Sequence, residues 1–363
     1  MKKLIFALLQ LFADAGTVVN ATGGYVNSGT GAVTPFDAAN SLSGELKTFY
    51  DTELLENARV EMFYAQFAKK QPLPAGRGKT IEWRKWNTFA RASKLQEGVV
   101  PTGQKFGMSS KTGTIDQYGT YATVSDQLEL HAYDDVILGA TEEMGASAAE
   151  TQEVLIRDAL LVNTNVLYCD NITLATGEVT GATPTSCAEM EASATVMAAF
   201  TPKMVAKAVT KLKKDRAPKI NGKYYAVIHP SVVEDLRNHK DWIDVHKYMA
   251  ASEIFEGEIG ELHGCRFIEN VFAPILDGED YQNKAGTVTY ATYFFGKDAF
   301  GIIDPEGGAL EMIVKDKSQI GGPLNQFSTI GYKFETNGAT MLYNERVLRV
   351  MSCSSYSAID EAN

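Results

Sequence analysis

The sequence is poor in cysteine and histidine, has no excess of positive charge, and contains no long apolar run. Its four cysteines, Cys169, Cys187, Cys265 and Cys353, are far apart and form no CxxC pair. That spacing argues against a zinc cluster, whose ligands come in close pairs, and against the dense disulfide frame of small secreted domains. Four free thiols, made in a reducing compartment, are expected instead. No stretch approaches the ~18 consecutive apolar residues of a membrane-spanning helix, so no membrane association is expected. Lys and Arg number 34 against 45 Asp and Glu, a formal net charge of −11. Tight nucleic-acid binding rests on surplus Lys and Arg that neutralise phosphates, and the chain as a whole has no surplus. Its basic run, Lys211, Lys213, Lys214, Arg216 and Lys219, falls at a helix end, where the helix dipole favours cations.

Catalytic patterns are equally scarce. Gly76 and Gly78 before Lys79-Thr80 imitate part of a P-loop, but Leu73 stands where the first glycine belongs and a strand follows instead of a helix. The five histidines, His131, His229, His239, His246 and His263, include no i, i+4 pair suited to a metal. No G-x-S-x-G is present. Cys265, between Gly264 and a predicted strand, is read as a packing residue. Glu142 and Glu143, adjacent on a helix, point in different directions and form no acid–base pair. No catalytic, cofactor-binding or metal-binding residue is assigned, and no enzyme activity is expected.

What is present is a sequence of unlike segments. Lys2 and Lys3 precede an apolar run from Leu4 to Phe12, and Ala13-Asp14-Ala15 imitates a signal-peptide cleavage site. Two readings stay open: a secretion signal, or an arm that buries its Leu and Phe side chains on a neighbour. The shortness of the run and its interruption by Gln10 favour the arm. Residues 16–44 are rich in Gly, Ser, Thr and Asn and have too little apolar surface to offset ordering entropy. A helix is predicted from Ser41 or Ser43 through Phe63, ended by Pro72 and Pro74. Ile81 and Trp83 alternate with Glu82 and Arg84 in a strand over 79–89. A glycine-rich loop follows, then a second strand over 111–125. Together these predict a long two-stranded ribbon. An isolated hairpin is marginal in water, so Trp83 and Trp86 need cover, either on the chain's own body or on a neighbouring subunit. Residues 134–168 read as one long helix with an apolar stripe through Ile137, Met144, Leu155, Val162 and Val166. Thr201-Pro202 opens a helix to Lys214, Pro230 opens another, and short apolar strands at 224–228, 265–268, 293–295 and 346–351 alternate with them.

Particular stretches add a resemblance. Leu8-Leu9-Gln10-Leu11-Phe12-Ala13 is similar to the opening of many phage coat proteins. Phe49-Tyr50-Asp51 with Leu54-Leu55, Gly78-Lys79-Thr80-Ile81-Glu82-Trp83-Arg84, Glu97-Gly98-Val99 and Gln117-Tyr118-Gly119 resemble the capsid family of N-four-like phages. So do Asp235-Leu236-Arg237, Trp242-Ile243, Gly257-Glu258-Ile259-Gly260 with Gly264-Cys265-Arg266-Phe267, and Gly322-Pro323-Leu324-Asn325-Gln326. The likeness covers roughly residues 42–356 and weakens at 16–40 and 170–200.

The resemblance implies an α+β protein with the tailed-phage major capsid, HK-ninety-seven-like fold. The chain then divides into an N-terminal arm (1–44), a helical segment (45–75), an extended β-ribbon loop (76–126), a peripheral domain with a spine helix (127–194), an axial α/β domain (195–345) and a C-terminal strand and tail (346–363). It implies a major capsid protein whose copies form the hexamers and pentamers of an icosahedral head around double-stranded DNA, bound without sequence specificity. Assembly in the host cytoplasm follows, with portal, scaffolding and decoration proteins as partners. Trp83, Arg84, Trp86, Glu97 and Tyr118 are the expected subunit-interface residues, and Gly257 and Gly260 the expected turn glycines. An encapsulin-like compartment shell and a secreted surface protein are the alternative readings.

Overall fold

The computed structural model describes residues 63–131, 136–239, 260–315 and 326–363, except 88, 93, 95, 96, 99, 101, 102, 307 and 309. It also describes two short strands, Gly24–Val26 and Val33–Pro35, which pair antiparallel. The rest of the N-terminal arm, most of the helix expected from Ser41, and Gly257 lie outside the described residues. The chain divides into two units, one of residues 1–58, 123–140 and 315–330, the other of 59–122, 141–314 and 331–363. In the first, Ser125 caps the short helix Asp126–His131 by accepting from the Leu128 N–H at 3.3 Å, and the Asp126 N–H donates to the Gln326 carbonyl at 2.9 Å.

The second unit is built on a seven-stranded mixed sheet. Its order is Glu261–Leu262, Cys265–Glu269, Tyr224–Ile228, Thr289–Phe295, Val347–Ser352 and Val166–Tyr168, with Ile275–Leu276 also pairing to Thr289–Phe295. All seven residues of the central strand Thr289–Phe295 are buried, as expected of a strand covered on both faces. Ala226, Ile228, Phe294, Leu348 and Val350 face one way, against the helices Pro202–Lys214 and Pro230–Asn238. Val227, Tyr293, Phe295 and Val347 face the other way, against Tyr64, Phe67 and the end of the long helix at Ile156 and Leu160. The period of two along each strand thus produces three layers around two apolar clusters. The helix starts follow the sequence: Pro202 and Pro230 open their helices, and Thr201 Oγ1 accepts from the Met204 N–H.

Three expectations change. The long helix is Val136–Leu160, not 134–168. Asn163 and Asn165 end it: both side chains donate to the Val347 carbonyl, at 2.9 and 3.1 Å, and Asn163 Oδ1 accepts from the Asn165 N–H. The chain then turns into strand Val166–Tyr168, parallel to Val347–Ser352. Second, Lys69–Leu73 continues no helix. After the 3-10 turn Tyr64–Phe67 it forms an edge strand parallel to Phe300–Pro305, a position that tolerates Pro72, which has no N–H to donate. Third, the second ribbon strand is two strands, Met108–Thr114 and Asp116–Ser125, broken at buried Ile115. The former pairs with Thr80–Trp86, while the latter joins Phe327–Thr336 in another sheet. The ribbon is shorter than predicted because its return strand changes partners.

Candidate subunit-interaction surface

The ribbon has seven paired positions, from Thr80↔Thr114 to Trp86↔Met108. It is closed at its base by the Ile115 N–H on the Lys79 carbonyl and extended beyond the strands by the Asn87 N–H on the Gly107 carbonyl, each at 2.9 Å. Farther out, Gln104 bridges to both the N–H and the carbonyl of Ala90. Ile81, Trp83 and Lys85 are half-buried, while Thr80, Glu82, Arg84 and Trp86 are exposed. Alternation sends successive side chains to opposite faces, so two tryptophans three positions apart look in opposite directions.

Trp83 faces its own subunit. A Cβ on Gly301 would stand 2.9 Å from the indole, and one on Gly113 2.7 Å from it, so both positions must be bare for the ring to lie there. Lys85, on the same face, places Nζ 4.5 Å from the centre of the Tyr343 ring, which also carries the Arg346 guanidinium at 3.7 Å. These contacts anchor the inner face of the ribbon.

The other face is uncovered by any described residue. Trp86 stacks on Phe106 with centroids 4.2 Å apart, and Phe89 stacks on Phe106 at 5.3 Å. The three rings remain 59%, 57% and 55% exposed for Trp86, Phe106 and Phe89, beside exposed Met108. The segment from Arg77 to Lys111 carries eight of the chain's 34 Lys and Arg residues but only two of its 45 Asp and Glu. A basic strip with an aromatic end therefore belongs to an otherwise strongly acidic chain.

Of the five expected interface residues, Arg84, Trp86 and Glu97 are exposed. Arg84 and Glu82 pair with each other at 3.4 Å, a solvent-exposed pair worth ~0–1 kcal/mol. Tyr118 is half-buried in its own unit, stacked on Phe334 at 5.9 Å and packed with Tyr332, Met144 and Leu155. Trp83 is likewise occupied by its own chain. Phe89 and Phe106 were not singled out from the sequence; their signal was position alone, at the two ends of the glycine-rich loop. Gly260, with φ +106°, does occupy a turn that favours glycine.

A cleft of about 220 Å³ lies elsewhere in this unit. Its lining includes the small residues Gly145, Ala148 and Ala149 of the long helix with Phe334, and the charged residues Asp304, Glu335 and Lys70. A neighbouring cleft of about 290 Å³ shares Glu335 and adds Asp116 and Glu306, with Lys79 as its cation.

Groups with reactive potential are held in structural roles. All four thiols are free and buried. Burial pushes Cys353 up to about 12 and Cys265 higher still, so neither presents a thiolate near neutral pH. Ser231, His229 and Asp360 come together, but not as a nucleophile and base. Ser231 Oγ and Tyr290 Oη both donate to Asp360 Oδ2, at 2.6 and 2.7 Å, and His229 Nδ1 accepts from the Ser231 N–H at the helix start. With Ser354 Oγ donating to the Ser231 carbonyl, the group fastens residues 354–360 to the helix Pro230–Asn238. His246 lies outside the described residues.

This architecture is shared with capsid subunits of several phages. The capsid of cyanophage Pam1 matches with a TM-score of 0.65 at 12% identity, over 88% of this chain and 99% of that one. The capsid of Ralstonia phage GP4 matches with a TM-score of 0.63 at 13% identity, over 89% and 98%. The capsid of cyanophage P-SCSP1u matches with a TM-score of 0.59 at 15% identity, over 85% and 94%. Identities this low carry the fold alone, and the fold is the tailed-phage capsid fold expected from the sequence. The family model for phage capsid proteins matches residues 109–333, and the chain belongs to that family. It is thus a structural protein of the phage head. A comparison with curated protein sequences gave no match.

Proposed function

We propose that the chain is the major capsid protein of an N-four-like phage and that its copies associate chiefly through the outer face of the ribbon. The observation that carries this reading is the uncovered strip of Trp86, Phe89 and Phe106. Three aromatic side chains, each more than half exposed, leave roughly 300 Å² of apolar area in water. Covering it is worth about 7 kcal/mol before the costs of ordering and association are subtracted. Aromatic clusters of this kind anchor protein interfaces.

Charge suggests what covers the strip. A basic ribbon on an acidic chain repels its like and is attracted to the body of a second copy. The cleft lined by Gly145, Ala148 and Ala149 offers apolar surface, and its two carboxylates, Asp304 and Glu335, outnumber its one cation, Lys70. An apolar cavity of ~150 Å³ already accepts benzene, so its volume suits an aromatic side chain. Contacts repeated from copy to copy in a head-to-tail sense close into rings, which supports hexamers and pentamers of an icosahedral shell around double-stranded DNA. Arg84 and Glu97 join Trp86 as outer-face contacts. Assembly in the host cytoplasm, with portal, scaffolding and decoration proteins, belongs to the same reading.

The test is amide exchange on dissociated subunits and on assembled particles. Assembly is expected to protect the ribbon near residues 86 and 106 together with 145–152 and 334–336. Protection of the ribbon without the cleft would move the docking site elsewhere. An unprotected ribbon in the assembled particle would sink the reading.

A further inference from the structure

Away from the ribbon, a carboxyl group is buried beneath the central sheet. Glu153, on the long helix, is 1% exposed. Its Oε1 accepts from the Phe63 N–H at 3.0 Å, the Tyr64 N–H at 3.2 Å and Asn270 Nδ2 at 2.8 Å. Its Oε2 is enclosed and has no hydrogen-bond partner among the described residues. Two more enclosed oxygens without partners belong to the same buried cluster, the hydroxyls of Tyr64 and Tyr293, whose rings meet edge to face with centroids 6.2 Å apart.

Neither nearby arginine forms an ion pair with Glu153, although the Arg349 Nε is itself enclosed without a partner among the described residues and its charge acts on Tyr293. Arg157, one turn along the helix, directs its guanidinium to Asp158 and Asn363, each at 2.8 Å. Arg349, opposite Tyr293 in the sheet register, donates to the Leu161 carbonyl at 3.0 Å. Among the described residues no cation is paired with the Glu153 carboxylate. Burial holds the Glu153 carboxyl above the usual range, against the opposing pull of its three hydrogen bonds. Burial also raises the Tyr64 and Tyr293 hydroxyls, so both stay neutral where Glu153 titrates.

The groups bonded to Oε1 show what this affects. Phe63 and Tyr64 open the 3-10 turn Tyr64–Phe67, and Tyr64 and Phe67 fill the apolar cluster beneath the central sheet. We propose that Glu153 is a proton-operated latch on residues 63–67: as the neutral acid it keeps them seated on the sheet, and its ionisation favours a locally open state in which the carboxylate reaches water. In the neutral form Oε2 carries a proton and becomes a donor in a cluster whose tyrosine oxygens can accept. In the ionised form that donor is lost and a charge is left in an apolar surrounding.

The sign follows from linkage. Glu153 binds its proton more tightly when the segment is seated than when it is open, so protonation favours the seated state. Seating is fully retained below the ordinary glutamate range and weakens as pH rises through the higher value of the closed form. Each pKa unit of difference opens the segment tenfold.

The experiment measures amide exchange at residues 63–67 in the full-length protein between about pH 5 and about pH 8, corrected for the intrinsic pH dependence of exchange. Glu153→Gln is run alongside; it keeps an acceptor oxygen for the same N–H groups and cannot ionise. Wild-type protection is expected to fall at least ~tenfold across the range, and the variant to stay flat. Wild-type protection that is constant or rises with pH overturns the proposal, as does an unchanged slope in the variant. If the variant does not fold, the wild-type slope decides together with a carbon-13 titration of the Glu153 carboxyl. A midpoint at or below the ordinary value of about 4.3 contradicts the latch.

Discussion

Single residues in the ribbon separate folding from association. Trp83 and Trp86 are alike in composition and lie on the same strand, yet one covers Gly301 of its own subunit and the other stacks in solvent on Phe106. Their losses are therefore expected to differ in kind. Trp83→Ala removes a half-buried ring from a fitted site and should cost the subunit about 2–4 kcal/mol. Trp86→Ala removes an exposed ring and should shift subunit stability by no more than ~0.5 kcal/mol. Urea unfolding of dissociated subunits measures both. Equal costs would mean that the two faces of the ribbon are not distinct. The opposite orientation was readable in the sequence, since residues three apart on a strand cannot share a face. What no local pattern reports is the pair of glycines that make room for the indole: Gly113 and Gly301, 30 and 218 positions along the chain from Trp83, become its neighbours only in the folded subunit.

At the scale of elements, legibility followed locality. The helices at Pro202 and Pro230 announce themselves by a proline at the first turn, and the structure begins them there. The central strands are short apolar runs and were found as such. The end of the long helix was missed because Leu155, Ala159, Val162 and Val166 keep helical spacing past Leu160. The competing signal is Asn163-Thr164-Asn165, whose side chains reach a carbonyl at Val347, 184 residues from Asn163. No local pattern reports a bond of that range. Removing it tests the explanation. Asn163→Ala leaves a buried carbonyl with one donor fewer and should destabilise the subunit by about 1–2 kcal/mol, read as a lowered midpoint in thermal or urea unfolding. A change below ~0.3 kcal/mol would show that Asn165 alone suffices to end the helix. Of the residues expected at a subunit interface, Arg84, Trp86 and Glu97 are exposed, while Tyr118 packs on Phe334 and Tyr332 from a distant strand, a contact no local pattern reports.

For the whole molecule, the chain carries its interior contacts and its exterior ones on different sequence segments. The mixed sheet is closed on both faces by its own helices and by residues 63–67, so it has little apolar surface to offer. The ribbon gives one face to the body and leaves on the other an aromatic strip that no described residue covers. This division explains how one sequence specifies a stable subunit and still favours association: neither purpose needs to weaken the other. It also fits a family whose members build phage heads. The most direct measurement is the particle-size distribution of the purified full-length wild type beside the double variant Trp86→Ala, Phe106→Ala, by analytical ultracentrifugation with electron micrographs of the same samples. Wild type is expected to form capsomers and closed shells, and the variant to remain a folded subunit with unchanged unfolding behaviour. Shells formed normally by the variant, or a wild type that stays monomeric at high concentration, would contradict assembly through the ribbon.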